Sequence, residues 1–261
     1  MTALQTRYEE LKKQNFQDSE RIKFIADLGA SDEIEYHYKL ICKDRDEGTN
    51  LNLAGSFYKH DKEGLEYLFE ALDNEKDESI KVFTAYLMAE TLSKLRHRDF
   101  YVEFCNRLIP VLISLIETID NLLRRKVIIA IGWIGSSNEI DILTKQMLED
   151  KDSLCRAWVA SSLMQMSFHG VKKELLQENT KECLALAIAK EDDLYACGIM
   201  IESAQILFGK KWISSSAVED MDAEKIEKAV LKTLEVSNVK TADLGGTAST
   251  TEFTEKIIEN L

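Results

Sequence analysis

A single proline, Pro110, occurs in 261 residues, and glycine occurs only 11 times. So few helix breakers exclude a sandwich or barrel that turns every few residues, and they suit long runs of helix. No segment alternates apolar and polar residues for long enough to make a strand. Long apolar runs are missing as well. The longest nearly unbroken one, Val127 to Gly135, falls well short of the roughly 20 residues a membrane span needs. The first residues, MTALQTRYEELKK, lack the apolar core of a signal peptide, so a cytoplasmic location is expected. The five cysteines, Cys42, Cys105, Cys155, Cys183 and Cys197, show no CxxC spacing, and each sits in an apolar-periodic segment. Buried reduced thiols are the expectation, rather than a disulfide or metal framework. Positive charge is in deficit: 33 Lys and Arg face 46 Asp and Glu, for a net charge of −13. A nucleic-acid backbone or an anionic membrane would repel such a chain, so neither is expected as its partner.

What is present is helical periodicity. In KEGLEYLFEALDN (62–74), Leu65, Leu68, Phe69 and Leu72 form one stripe, and Glu63, Glu66, Glu70 and Asp73 lie off it. The chain is also self-similar. DNLLRRKVIIAIGWIG (120–135) overlies DSLCRAWVASSLMQMS (152–167) at a shift of 32 residues, pairing Asp120 with Asp152, Arg124 with Arg156 and Val127 with Val159. DESIKVFTAYLMAETL (77–92) precedes this pair and EDDLYACGIMIESAQIL (191–207) follows it, aligned on Asp77 and Asp192. IADLGASDEIE (25–35) echoes IGWIGSSNEID (131–141). Each unit reads as an Asp-capped helix followed by a second helix that folds back across it. Neither helix can bury its apolar face alone, so neighbours must stack. Pro110 is expected to bend its helix or to start a new one after Leu108.

The run of Asp, Leu, Arg, small residues and a closing Ile-Gly, seen in Asp120, Leu123, Arg124, Ala130, Ile134 and Gly135, resembles the HEAT-repeat family over about residues 15–208. The resemblance implies an all-α superhelix, a HEAT-like solenoid whose second helices line a concave binding surface. Here those helices would be about 32–43, 62–73, 99–118, 138–150 and 171–190. The expected layout is a repeat domain over 1–209, a linker over 210–221 and a short C-terminal appendage over 222–261.

That appendage, DAEKIEKAVLKTLEVSNVKTADLGGTASTTEFTEKIIENL, is similar to the C-terminal end of the isocitrate and isopropylmalate dehydrogenases. The match runs through Ile226, Ala229 and Val230, then Thr241, Asp243, Leu244, Gly245 and Gly246, then Thr250, Thr251, Glu252, Phe253 and Thr254. The substrate-binding, metal-binding and adenine-binding segments of that family have no counterpart upstream. The segment therefore reads as a fused piece that caps the last repeat.

Other chemistry has little foothold. His37, His60, His97 and His169 are scattered without metal-ligand spacing. RHRD (96–99) has a kinase-like trio but no glycine-rich loop, and KDRDEGTN (43–50) lacks the full ligand set of a calcium loop; both read as turns. Trp133 and Trp158 are expected to pack in the core. With no nucleophile elbow or phosphate loop, no catalytic residue, cofactor or metal is expected. The expectation is a non-enzymatic, protein-binding scaffold or adaptor. It would include an immunity-type inhibitor of a basic partner, with a nucleic-acid enzyme of HEAT fold or a dehydrogenase-associated protein as the alternatives. The first 80 residues hold 19 acidic against 11 basic side chains. Glu35, Tyr36, Glu63, Glu66, Glu70, Glu139 and Asp141, on the second helices, are the positions expected to meet a basic protein surface.

Overall fold

The computed structural model describes residues 2–211 and, beyond them, only Val239, Thr247, Ala248, Glu252 and Lys256. The described part is all-α, an array of paired helices. It divides into two compact units, 1–135 and 136–261, so the repeat region expected as one domain over 1–209 falls in both. Apart from Lys210, Lys211 and those five positions, the linker and the dehydrogenase-like appendage lie outside the described residues.

The first unit contains α1 (Ala3–Lys13), α2 (Asp18–Ala30), α3 (Ile34–Glu47), a 3₁₀ segment (Leu53–His60), α4 (Asp61–Asn74), α5 (Glu78–Lys94), α6 (Tyr101–Leu115) and α7 (Asn121–Ile134). At its centre α5 packs on α4, α6, α7 and the 3₁₀ segment. Val82, Ala85, Leu87, Met88, Ala89 and Leu92 are all buried, so the apolar residues of α5 run around the helix instead of along one stripe. The second unit contains a short 3₁₀ turn (Ser137–Glu139), α8 (Ile140–Glu149), α9 (Ser153–Phe168), α10 (Lys173–Lys190) and α11 (Leu194–Phe208). There α9 plays the central part, packed on α8, α10 and α11.

The Asp caps expected from the repeats are present. Asp77 accepts from Ile80 N–H, Asp120 from Leu122 and Leu123, and Asp152 from Cys155, at 2.7–3.0 Å. The last unit corrects the alignment, because the cap of α11 is Asp193, not Asp192. Asp193 is the residue that precedes the first helical position, and its carboxylate accepts from Tyr195 and Ala196 N–H. The repeated Arg also has a physical role. Arg124 Nη1 donates to the Thr118 carbonyl at 2.6 Å, and Arg156 Nη1 donates to the Asp150 carbonyl at 2.7 Å. Each guanidinium reaches back to a carbonyl six residues earlier. It thereby ties the turn that enters the helix to the helix itself.

Pro110 does not start a new helix: α6 runs unbroken from Tyr101 to Leu115 with Pro110 inside it. The carbonyl that loses its partner belongs to Asn106, and Asn106 and Pro110 are both exposed, so solvent can satisfy it. KDRDEGTN forms the end of α3 and the turn after it. Gly48 takes the left-handed conformation at φ 63°, and the Asp44 carboxylate accepts from Leu51 N–H and Thr49 Oγ. RHRD is a turn in which Arg98 pairs with Asp61. Among the described residues no helix is long and apolar enough to cross a membrane.

Candidate functional site

The apolar stripe of α4 behaves as its periodicity requires: Leu65, Leu68, Phe69 and Leu72 are buried. The opposite side carries Glu63, Tyr67 and Glu70 at i, i+4 and i+7, with Glu66 beside them, so the outer carboxylates lie about 10 Å apart along the axis. Glu63 and Glu70 are exposed and form no ion pair among the described residues. Glu66 is held differently. Arg107 of α6 donates to both its oxygens at 3.0 and 3.1 Å, and the same guanidinium lies over the Phe69 and Phe104 rings at 4.0 and 4.9 Å.

On the other flank of α4, Tyr67 is half-buried and meets the buried Tyr38 ring edge-to-face, with centroids 5.8 Å apart. Tyr38 is fixed in turn by a 2.6 Å hydrogen bond with Thr84 Oγ, which itself donates to the Ile80 carbonyl. Burial raises the Tyr67 hydroxyl pKa, and the charges of Glu35 and Glu70 raise it further, against the opposing pull of Lys39. The ring therefore stays neutral and sits within the field of both carboxylates. Glu35, in the first turn of α3, also pairs with Lys39 at 2.5 Å.

The expected site residues are thus only partly brought together. Glu35 and Glu70 both act on Tyr67 and Glu63 lies on the same side of α4, whereas Glu66 is turned to Arg107 of α6. Tyr36, although next to Glu35 in the chain, turns toward the side of Tyr8, Glu9 and Glu33, and burial pushes its hydroxyl up to about 12. In the second unit Asp141 is exposed in the first turn of α8. Glu139 is placed otherwise than its expected role requires. It is buried, and its carboxylate closes a capping box on Ser136 N–H and Oγ at 2.7 and 2.9 Å, so it is not offered to a partner. Tyr67 was missed in the sequence, where its place on α4 four residues after Glu63 was the one available signal. Arg107 gave no signal, because it lies 41 residues from Glu66.

The histidines differ most from their scattered appearance in the sequence. His37 and His60 are both buried, with Nδ1 of His37 2.8 Å from Nε2 of His60, while Nε2 of His37 lies 2.9 Å from the Leu53 carbonyl. A carbonyl only accepts, so His37 Nε2–H donates to it and the neutral ring accepts at Nδ1 from His60. Both nitrogens of His37 are then occupied within the core. Of the cysteines, Cys105 and Cys155 are buried and Cys42, Cys183 and Cys197 half-buried, all as free thiols. Burial pushes the Cys105 thiol up to about 11 and raises those of Cys42 and Cys197, away from reactive thiolate. Trp133 is half-buried against Tyr86, their centroids 5.0 Å apart.

Comparison with known families agrees with this architecture. Residues 65–164, from within α4 to within α9, match the family model for HEAT repeats. No curated protein and no solved structure matches the chain. The described part is accordingly an all-α helical-repeat array that is similar to HEAT repeats over residues 65–164, and repeats of that kind commonly serve as protein-interaction scaffolds.

Proposed function

We propose that the protein is a non-catalytic, cytoplasmic scaffold whose first unit binds a basic segment of another protein across the α3–α4 surface. The observation that carries this is Tyr67, held neutral and half-buried between Glu35 and Glu70, with the unpaired Glu63 one turn away. A Lys or Arg laid on that surface meets an aromatic ring as well as carboxylates. Cation–π attraction adds about 0.5–1 kcal/mol at such an exposed site, while the carboxylates steer approach and select against acidic partners. A partner whose basic active-site surface is covered in this way would be inhibited, which is the immunity-type form of the same reading. An acidic, aromatic surface does not suit a phosphate backbone, and the dehydrogenase-like appendage supplies no catalytic group in this account.

The test is affinity capture from native lysate with the natural chain and with a Glu63→Lys, Glu70→Lys double variant. Neither substitution breaks an ion pair within the described residues. Basic proteins captured by the natural chain, released by raised salt and lost from the double variant are the expected result. Recovery of the same proteins by both chains removes this surface from the function.

A further inference from the structure

In the first unit a pocket of about 290 Å³ lies between the last two turns of α3 and the middle of α5, beside the start of the 3₁₀ segment. α3 lines it with Ile41, Asp44, Arg45 and Gly48, and α5 with Phe83, Tyr86, Leu87 and Glu90, each set at i, i+3, i+4 and i+7 on one helix face. The pocket shares no residue with the α3–α4 surface. Its size is at the small end of the roughly 300–1,000 Å³ of ligand sites, which leaves no room for a docked helix and suits a compact molecule.

The walls define the chemistry of that molecule. Ile41, Leu53 and Leu87 are buried and give the pocket an apolar floor, which favours an apolar body. Three charged side chains line it, Asp44, Arg45 and Glu90, and each is already matched within the fold. Asp44 accepts from Leu51 N–H at 2.9 Å and from Thr49 Oγ, and Glu90 accepts from Lys94 Nζ at 2.8 Å. Arg45 holds Asp46 through Nε at 2.8 Å and Nη2 at 2.6 Å. A charged ligand would have to break one of these pairs or lose its own hydration unpaired, so the walls select a neutral one.

What the walls leave over is donors. Arg45 Nη1 is buried with no hydrogen-bond partner among the described residues, and its guanidinium lies over the Phe83 ring at 4.7 Å. Asp46, the one carboxylate that holds it, is exposed, so the guanidinium can tilt on the ring and present that nitrogen. The half-buried Tyr86 hydroxyl forms no hydrogen bond among the described residues either, and burial and the charge of Glu90 keep it protonated. Donors in this state call for an acceptor oxygen on the ligand.

We propose that the pocket between α3 and α5 binds a small neutral molecule that joins an apolar body to a carbonyl group. The body rests on Ile41, Leu53 and Leu87, and the carbonyl oxygen accepts from Arg45 Nη1, with the Tyr86 hydroxyl as a second donor.

The test titrates the full chain, followed by methyl NMR of its Ile and Leu residues, with 3-phenylpropanamide. The anion 3-phenylpropanoate and the cation 3-phenylpropylammonium, close to the amide in shape, serve as controls at physiological salt. The amide should shift the Ile41, Leu53 and Leu87 methyls saturably and bind roughly fivefold or more tighter than either charged compound. Tighter binding of a charged compound, or no shift of these methyls at the solubility limit of the amide, overturns the proposal. Arg45→Met should weaken the amide roughly fivefold, the weight of one hydrogen bond, and unchanged affinity overturns the assigned donor. If that variant does not fold, Tyr86→Phe carries the same expectation and the same refutation.

Discussion

Arg156 holds Glu191 through two nitrogens, Nε and Nη2, each 2.8 Å from a carboxylate oxygen, and the Glu191 side chain is 1% exposed. The same Arg donates to the Asp150 carbonyl, and the same Glu accepts from Asp193 N–H, the residue that caps α11. One ion pair therefore joins the turn before α9 to the turn before α11. Removing Glu191 leaves the guanidinium without its bidentate partner in a largely buried place. Glu191→Ala is expected to cost about 2–4 kcal/mol, read as a fall in the urea midpoint at constant slope. In a double-mutant cycle with Arg156→Met, a coupling of less than about 0.5 kcal/mol would show that the pair does not join the repeats.

The His37–His60 pair gives the fold a dependence on pH. Burial lowers the pKa of His37 to about 4, with the charge of His60 acting in the same direction and the Leu53 carbonyl against it. His60 is lowered by burial too, partly offset by the Ser31 carbonyl and by Glu63. The native rings thus stay neutral where the unfolded rings already bind protons, below about pH 6.5. The stability they contribute is complete above that pH and is lost as pH falls toward 4, by on the order of 3 kcal/mol for His37. Chemical denaturation at pH 7 and pH 5 should show the loss, and the difference should shrink in His37→Gln. An undiminished difference in that variant would assign the acid sensitivity to other groups.

Gly29 marks the closest approach of α2 to the 3₁₀ segment. A Cβ there would lie 2.6 Å from the Ser56 carbonyl oxygen and 2.8 Å from Ser56 Cβ, while Ser56 Oγ donates to the Ile25 carbonyl across the same contact. Backbone cannot yield as a flexible side chain does, so Gly29→Ala should destabilise by about 1–3 kcal/mol despite its gain in helix propensity. A thermal midpoint equal to or above that of the natural chain would show that the two segments separate freely.

These three cases differ in how much could be read beforehand. The Arg four residues after Asp120 and after Asp152 was visible as a repeat, because a local turn recurs at a local spacing. Its partner Glu191 was not, since 35 residues and a whole helix pair lie between them. His37 and His60 looked unrelated for the same reason: the turn that brings them together is set by Asp44 and Gly48, not by any histidine spacing. Glu139 was assigned to an exposed face because its helix was expected from residue 138 onward. In the structure it closes a capping box three residues after Ser136, where its carboxylate satisfies the chain instead of a partner.

The amino-acid sequence by itself determined the helices, their Asp caps, the order of the pairs and the acidic character of the first unit. These follow from interactions over three or four residues and from net charge, which need no tertiary contact. Only the tertiary structure decided which acidic residues share a surface, that Tyr67 lies among them, that Arg107 already occupies Glu66, and that a pocket lies between α3 and α5. Those relations depend on how helices cross. Crossing is set by the shapes of buried side chains such as Phe69, Phe104 and Leu184, whose neighbours lie tens of residues away in the chain.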